Sequence, residues 1–534
     1  MSKHQILIFL SILLTNIVFI QNIKGQGELP TPGELFDAKN YIQALEQFKK
    51  YEKEYPDDYE LKHQIAVCYL NIYADKSLAI PYLEECYKEG NYKNELLLEM
   101  AKAYQFAYRF KDAKNYYNKY REKAPSKLFP LIDHYIETCE NAEALIKKPI
   151  NVTFEHLGKE INTKFADYYP FVTKDEKTLF YTSRREQNPG KIRSFNGYFT
   201  SDIYTSTVQN GVWAQAKNMG PIINTNEDEQ CVGISPDGKN IVLYVDNVDF
   251  PGDLFHTEIQ KTKSFVKSIP FNEPINTDML ESEGCYGSDG NTLFFVSNRK
   301  GGIGETDIYF SKRLPNGEWG IPKNLGQNIN TIYKEAFPQI TDDGKTLFFS
   351  SQGHTNMGGY DIFKSTWNEQ LKNWNVPINV GYPLNTTDDD MMFSVCENGR
   401  DGYISAWRKE GLGDLDIYKI RFNSVEEQQT VLTGNVVMAD TLKKEIDAFI
   451  SIKNIKTNKE LDSKPVNKLT GKYIFIVIPG KYQIEITSPG NKPIQENITV
   501  YDKSDFKPEQ IKNFVLYDAK YVAPVKEVKP KPKK

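Results

Sequence analysis

Five copies of one short pattern constrain this chain more than anything else in its 534 residues. Ile161-Asn162-Thr163 returns as Ile223-Asn224-Thr225, Ile275-Asn276-Thr277, Ile329-Asn330-Thr331 and Leu384-Asn385-Thr386. Twelve residues after each Thr stands Asp175, Asp237, Asp289, Asp343 or Asn398, usually followed by Gly and then by an apolar run such as Leu347-Phe348-Phe349. Each copy closes on an Asp-apolar-aromatic signature that begins at Asp202, Asp253, Asp307, Asp361 or Asp416, with spacings of 51, 54, 54 and 55. An Asp-Gly turn between short alternating segments signals a hairpin, and four strands in about 54 residues is the size of a propeller blade. The pattern therefore predicts a five-bladed β-propeller over residues 150–423, with a degenerate sixth blade as the alternative. Asn151 to Glu155 would pair into the last blade to close the ring. The longer first spacing, 62 between the first two Ile-Asn-Thr elements, places an extra loop around Asn188 to Gly197.

The flanking segments obey other periods. Over residues 36–147, Ala44 and Phe48 return as Ala79 and Leu83, then as Ala113 and Tyr117, while Ala66 and Tyr69 return as Ala101 and Tyr104. Offsets of 34 and 35 are the tetratricopeptide period, so about three helical repeats plus a terminal helix are expected, with Pro56 and Pro125 stopping the second helix of their repeats. Tyr69, Tyr73, Tyr104 and Tyr108 are candidates to line a concave partner groove, the alternative being packing between helices. Residues 430–517 alternate apolar and polar and predict a small β-sandwich of about seven strands. The fold class is thus multidomain α + β. Residues 518–534 are Lys- and Pro-rich and predict a disordered tail, either simply solvated or attached to an anionic surface.

At the other end, Lys3 and His4 precede an apolar stretch from Ile6 to Ile20, then polar residues and a small residue at Gly25. This is a signal-peptide profile over residues 1–25, with an uncleaved anchor or a buried N-terminal helix as alternatives. The expected location is the periplasm or cell envelope. Lys+Arg 66 against Asp+Glu 71 leaves a net charge of −5, which provides no broad basic surface, so nucleic acid is not an expected partner.

Reactive constellations are scarce. The six His carry no His-Glu-x-x-His motif, and the chain has neither a Gly-x-Ser-x-Gly elbow nor a phosphate-binding Gly-rich loop. No catalytic residue, metal or cofactor is expected. Asp388-Asp389-Asp390 could bind Ca²⁺, but Glu227-Asp228-Glu229 and Glu281-Ser282-Glu283 occupy matching places, which favours a solvated acidic turn. The signature aspartates Asp202, Asp253, Asp307, Asp361 and Asp416 recur in every unit, as structural loop anchors would. Arg184, Arg299 and Arg408 follow the second predicted strand of their units, and either ring a binding surface or bond blade to blade. The six Cys show no metal-type clustering, and no disulfide is assigned.

Ser235-Pro236-Asp237-Gly238-Lys239 resembles the turns of Tol-B-like, WD-like propeller repeats of envelope proteins. Gly471-Lys472-Tyr473 with Pro479-Gly480-Lys481-Tyr482 resembles the carboxypeptidase regulatory-like, transthyretin-related domain. The order of signal peptide, tetratricopeptide repeats, propeller and regulatory-like sandwich resembles PorE-type proteins of the OmpA family. That resemblance implies an envelope component associated with type IX secretion or gliding, peripheral to the outer membrane. The peptidoglycan-gripping OmpA-like domain does not occur before Lys534, so a periplasmic adaptor is expected and direct peptidoglycan binding is not. The leading expectation is a non-enzymatic scaffold that binds envelope proteins through its helical repeats and propeller loops. The alternative is a propeller that binds or hydrolyses glycans.

Overall fold

The computed structural model describes residues 30–520 except 195, 236, 247–251, 261–263, 397–398, 424–429, 440–444 and 501–508. The leader expected over residues 1–25 and residues 521–534 of the expected tail lie outside the described residues.

Among the described residues, seven α-helices come first: α1 (Pro32–Asp37), α2 (Tyr41–Tyr51), α3 (Tyr59–Leu70), α4 (Ala79–Glu89), α5 (Glu95–Phe106), α6 (Phe110–Lys123) and α7 (Phe129–Ile146). Their ends follow from local chemistry. Thr31 and Glu34 form a capping box on α1, Asn40 and Asp58 cap α2 and α3, and Gly90 ends α4 in the left-handed region. Each helix packs on the next. Ala44, Ala79 and Ala113 occupy equivalent buried places on α2, α4 and α6, each with a large buried partner one turn on, namely Phe48, Leu83 and Tyr117. Small residues there let neighbouring helices approach, and the large ones fill the space between. Pro56 and Pro125 lie after α2 and after α6, the helices that carry Ala44 and Ala113.

The middle of the chain forms five antiparallel sheets, numbered 1 to 5 in chain order. Their innermost strands are Asp167–Val172, Asp228–Ile234, Glu281–Tyr286, Glu335–Ile340 and Met391–Val395. Each of these packs against the innermost strands of the sheets before and after it, and the cycle closes between sheets 5 and 1. Among the described residues, five sheets make this propeller-like ring. The outermost strand of sheet 5 is Val152–His156, which pairs antiparallel with Asp416–Phe422 and so ties the start of the ring to its end. The extra loop of sheet 1 contains a single 3-10 turn, Pro189–Lys191.

The repeated tripeptide is a clamp between sheets. Asn330 Oδ1 accepts from the Ile308 N–H at 2.8 Å and its Nδ2 donates to the Ile308 carbonyl at 3.0 Å. Asn224, Asn276 and Asn385 grip Ile203, Leu254 and Ile362 in the same way, and Asn162 grips Ile417 across the closure. The Thr that follows turns the chain by donating to a carboxylate four residues on: Thr331 N and Oγ1 reach Glu335 at 2.8 and 2.7 Å. A buried backbone group left unpaired costs about 1–3 kcal/mol, so a side-chain amide that satisfies both groups of one residue is worth repeating in every unit.

Residues 430–517 build two sheets. Thr430–Met438 lies beside Lys472–Val477 and runs parallel to Glu509–Ile511 and Phe514–Leu516. The second sheet orders Glu460–Pro465, Phe449–Asn454, Gly480–Thr487 and Ile494–Val500. Leu432, Ile450, Phe475 and Ile484 are buried in the core these sheets share. The Gly-x-Tyr pair has a local reason. Gly471 holds φ +68°, and a Cβ there would lie 1.9 Å from the Val436 carbonyl. Tyr473 and Tyr482 donate their hydroxyls to the Lys512 and Ile478 carbonyls, each at 2.7 Å.

Candidate functional site

The loops expected to offer a binding face are engaged within the molecule. Asp307 accepts from the Gly304 N–H at 3.0 Å and Asn324 Nδ2 at 2.8 Å, and Asp361 accepts from the Met357 N–H and Asn379 Nδ2. Asp202 accepts from Asn218 Nδ2 and Asp416 from the Leu412 N–H, while Asp253 begins the third strand of sheet 2. Arg299 donates to Ser297 Oγ, the Ile275 carbonyl and Glu281. Arg408 lies 3.6 Å above the Phe154 ring and donates to the Pro383 carbonyl. Arg184 is out of register with these two. Its neighbour Arg185 donates to Ser183 Oγ, the Ile161 carbonyl and Asp167, which are the counterparts of the Arg299 partners. Counting two residues from the strand-end Ser183 and Ser297 finds Arg185. Arg184 instead binds the Tyr168 hydroxyl and the Phe199 carbonyl and pairs with Asp228.

The helices cover part of the same face. Lys76, between α3 and α4, pairs with Asp388, and Phe106, at the end of α5, accepts from Thr387. On α7, the His134 ring stacks on Tyr333 at 4.2 Å and Asn141 donates to the Asn356 carbonyl. Met357 packs into the helical core and Tyr73 into the ring core. The acidic run is accordingly not a solvated turn. Asp389 accepts from the Tyr360 N–H, and burial pushes Asp390 up to about 8. Register also places Glu281, not Glu283, opposite Glu229 and Asp390, since each accepts from the Thr four residues before it.

Of the four tyrosines proposed for a groove, Tyr73 lies against the ring and Tyr108 meets Tyr382 of the ring at 6.2 Å. Tyr104 is buried and donates to Glu84, and Tyr69 stacks on Tyr82. The half-exposed aromatics belong to a different set, centred on α4 and α6. Tyr116 stacks on Tyr104 at 5.4 Å and meets Tyr87 edge-on at 5.6 Å, and Tyr87 meets Tyr92 at 5.1 Å. Cations cap these rings. Lys119 Nζ is 4.6 Å from the Tyr116 centroid, Lys123 Nζ 5.4 Å from Tyr92, and Lys49 of α2 is 5.2 Å from Tyr82. Lys119 also donates to the Tyr87 hydroxyl at 3.2 Å, which holds that phenol below its ordinary value. Helix α6 carries Lys111, Lys114, Lys119, Arg121 and Lys123 against Asp112 and Glu122, with Lys114 and Arg121 paired to Glu143 and Asp133 of α7. Flat rings with Lys119 and Lys123 beside them suit an acidic partner surface, with stacking fixing position and charge drawing it in. The sequence signal for this ladder is the recurrence of Tyr and Lys on alternate helices, which the Ala-Tyr period alone does not show.

At the ring axis, residues of non-adjacent sheets meet. Tyr169 and Phe337 stand 5.3 Å apart, and the Tyr169 hydroxyl reaches Glu283 at 3.4 Å. Burial pushes the Glu283 carboxyl up to about 7. Glu283 accepts from the hydroxyls of Tyr169 and Ser282. The six cysteines are buried and unbridged.

No family model and no curated protein matches this chain. Among solved structures it is similar to an α-L-arabinofuranosidase from Lactobacillus brevis, at 11% identity over 50% of this chain and 92% of that one, with a TM-score of 0.33. A glycoside hydrolase matches at 9% identity over 54% and 97%, with a TM-score of 0.36. Hydrazine synthase from Kuenenia stuttgartiensis matches at 13% over 61% and 79%, with a TM-score of 0.27. None of these likenesses is close enough to assign an activity.

Proposed function

We propose that the chain is a non-enzymatic scaffold of the cell envelope that holds an acidic partner protein on the tyrosine and lysine ladder of α4 and α6. In this reading residues 36–147 are tetratricopeptide repeats, residues 150–423 a five-bladed β-propeller, and residues 430–517 a transthyretin-like sandwich. One observation carries it. The ring is gripped by α5, α7 and the α3–α4 connection, whereas α2, α4 and α6 keep half-exposed rings with cations above them. A rigid ring that already holds the helices in place supplies a pre-organised surface, which lowers the entropy lost on binding.

The leader-like start of the chain supports export to the periplasm, and the module order supports a place beside type IX secretion or gliding machinery. Among the described residues no helix is long and apolar enough to cross a membrane. Fractionation of cells that express the chain with and without residues 1–25 tests the location: the full chain should appear in the envelope fraction and the truncated one in the cytoplasm. Recovery of the truncated chain in the envelope would contradict it.

A further inference from the structure

The two sheets of the sandwich meet water differently. Outward positions of the second sheet are polar, among them Lys453, Gln483, Glu485 and Asn497, as an antiparallel sheet with one solvated face requires. The first sheet breaks that rule. Val431, Val437, Ile474, Ile476, Ile511 and Val515 all point outward and are between 36% and 66% exposed. Register gathers them into one patch: Val431 lies between Ile476 and Glu509, Thr433 between Ile474 and Ile511, and Val437 beside Val515. At its centre the Thr433 hydroxyl donates to the Tyr473 carbonyl at 2.8 Å, so this polar group is already satisfied. The strand Lys472–Val477 is apolar from Tyr473 onward, the pattern of a strand that is covered on both faces.

Charge at the rim says what fits this face. Lys472, beside Asn435, and Glu509, beside Val431, are both exposed and stand at opposite corners of the patch. Two strand spacings and four residues separate them, about 17 Å. That exceeds the screening length of about 8–10 Å, so within one chain they scarcely attract each other. A second copy changes this. A twofold axis in the plane of the patch, perpendicular to the line that joins the two corners, lays Lys472 of each copy over Glu509 of the other and stacks the aliphatic rows between them. The strands then cross at a large angle, as in orthogonal sheet packing. The face is therefore complementary to itself in charge as well as in apolar character.

We propose that two copies of this chain associate through the outer face of the first sandwich sheet, with Ile474, Ile476 and Ile511 at the centre of the contact and Lys472 and Glu509 paired between copies at its rim. The patch runs about 20 Å along the strands. It is smaller than the roughly 800 Å² per partner of a standard interface, so the dimer is a weak one, with a dissociation constant in the micromolar range. The surface is separate from the ladder on α4 and α6.

Sedimentation equilibrium of the full chain between about 1 and 100 µM tests this, and the weight-average mass is expected to rise from that of one chain towards that of two. Ile476→Lys, a change at an exposed position, should weaken association at least about tenfold at an unchanged melting temperature. Lys472→Glu alone and Glu509→Lys alone should each weaken it severalfold at low salt, because each lays like charges over one another twice. Together the two reversals should restore the parent affinity, and this pair of rim changes decides the matter alone if Ile476→Lys does not fold. A single-chain mass at every concentration would overturn the proposal, whatever else the face binds. So would a dimer that Ile476→Lys leaves unchanged in a folded chain, or charge reversals that fail to rescue each other.

Discussion

Asn330 shows what a single residue does for this ring. Its side chain is buried and bonds the Ile308 N–H, the Ile308 carbonyl and Asn324 Oδ1. Asn330→Ala leaves these groups without partners, and chemical denaturation should show a loss of about 3 kcal/mol. Glu283 acts in the opposite sense. Its folded value of about 7 lies above the ordinary 4.5, so the folded state holds a proton that the unfolded chain releases. Its contribution is fully present below about pH 4.5 and is lost as pH rises through about 7, a tenfold change in proton affinity being worth ~1.4 kcal/mol. Glu283→Gln removes the buried charge, and should raise the melting temperature at pH 8 while leaving it nearly unchanged at pH 4.5. Much at this scale was legible, because the clamp needs an amide side chain in every unit and so leaves a repeated Asn. Arg185 was not, because two adjacent arginines share one loop and only the strand register tells them apart.

Among the elements, the closing strand Val152–His156 has the largest consequence. It follows α7 after a short connection in which the Ile150 N–H already donates to the Tyr382 carbonyl. The strand then pairs along Phe422 to Tyr418. Replacing residues 152–156 by a Gly-Ser sequence should open the ring at this edge. Hydrogen exchange would show it as lost protection at alternate amides of Asp416–Phe422, with the innermost strands less affected. Equal exchange in both proteins would mean that the Asn162 clamp and the inner strands alone hold the closure. Helix positions were legible from the Ala44, Ala79 and Ala113 period, because small residues recur where neighbouring helices approach.

Across the whole molecule, the docking of helices on the ring left no trace in the sequence. Its contacts come from single, unrepeated residues, among them Lys76, His134, Asn141 and Met357, and no period marks them. The docking also changes how function can be tested. Deleting residues 36–147 would bare the ring face and its apolar contacts, and any change in binding would be ambiguous. Charge reversal on the ladder avoids this, because Lys119 and Lys123 touch rings of the helical part itself. The decisive measurement is partner capture from an envelope extract by the intact chain and by a Lys119→Glu, Lys123→Glu variant, with melting curves recorded for both. Equal melting temperatures with capture reduced about tenfold or more, in a salt-dependent manner, are predicted for an acidic partner held on this face. Undiminished capture by a variant of equal stability would contradict the account.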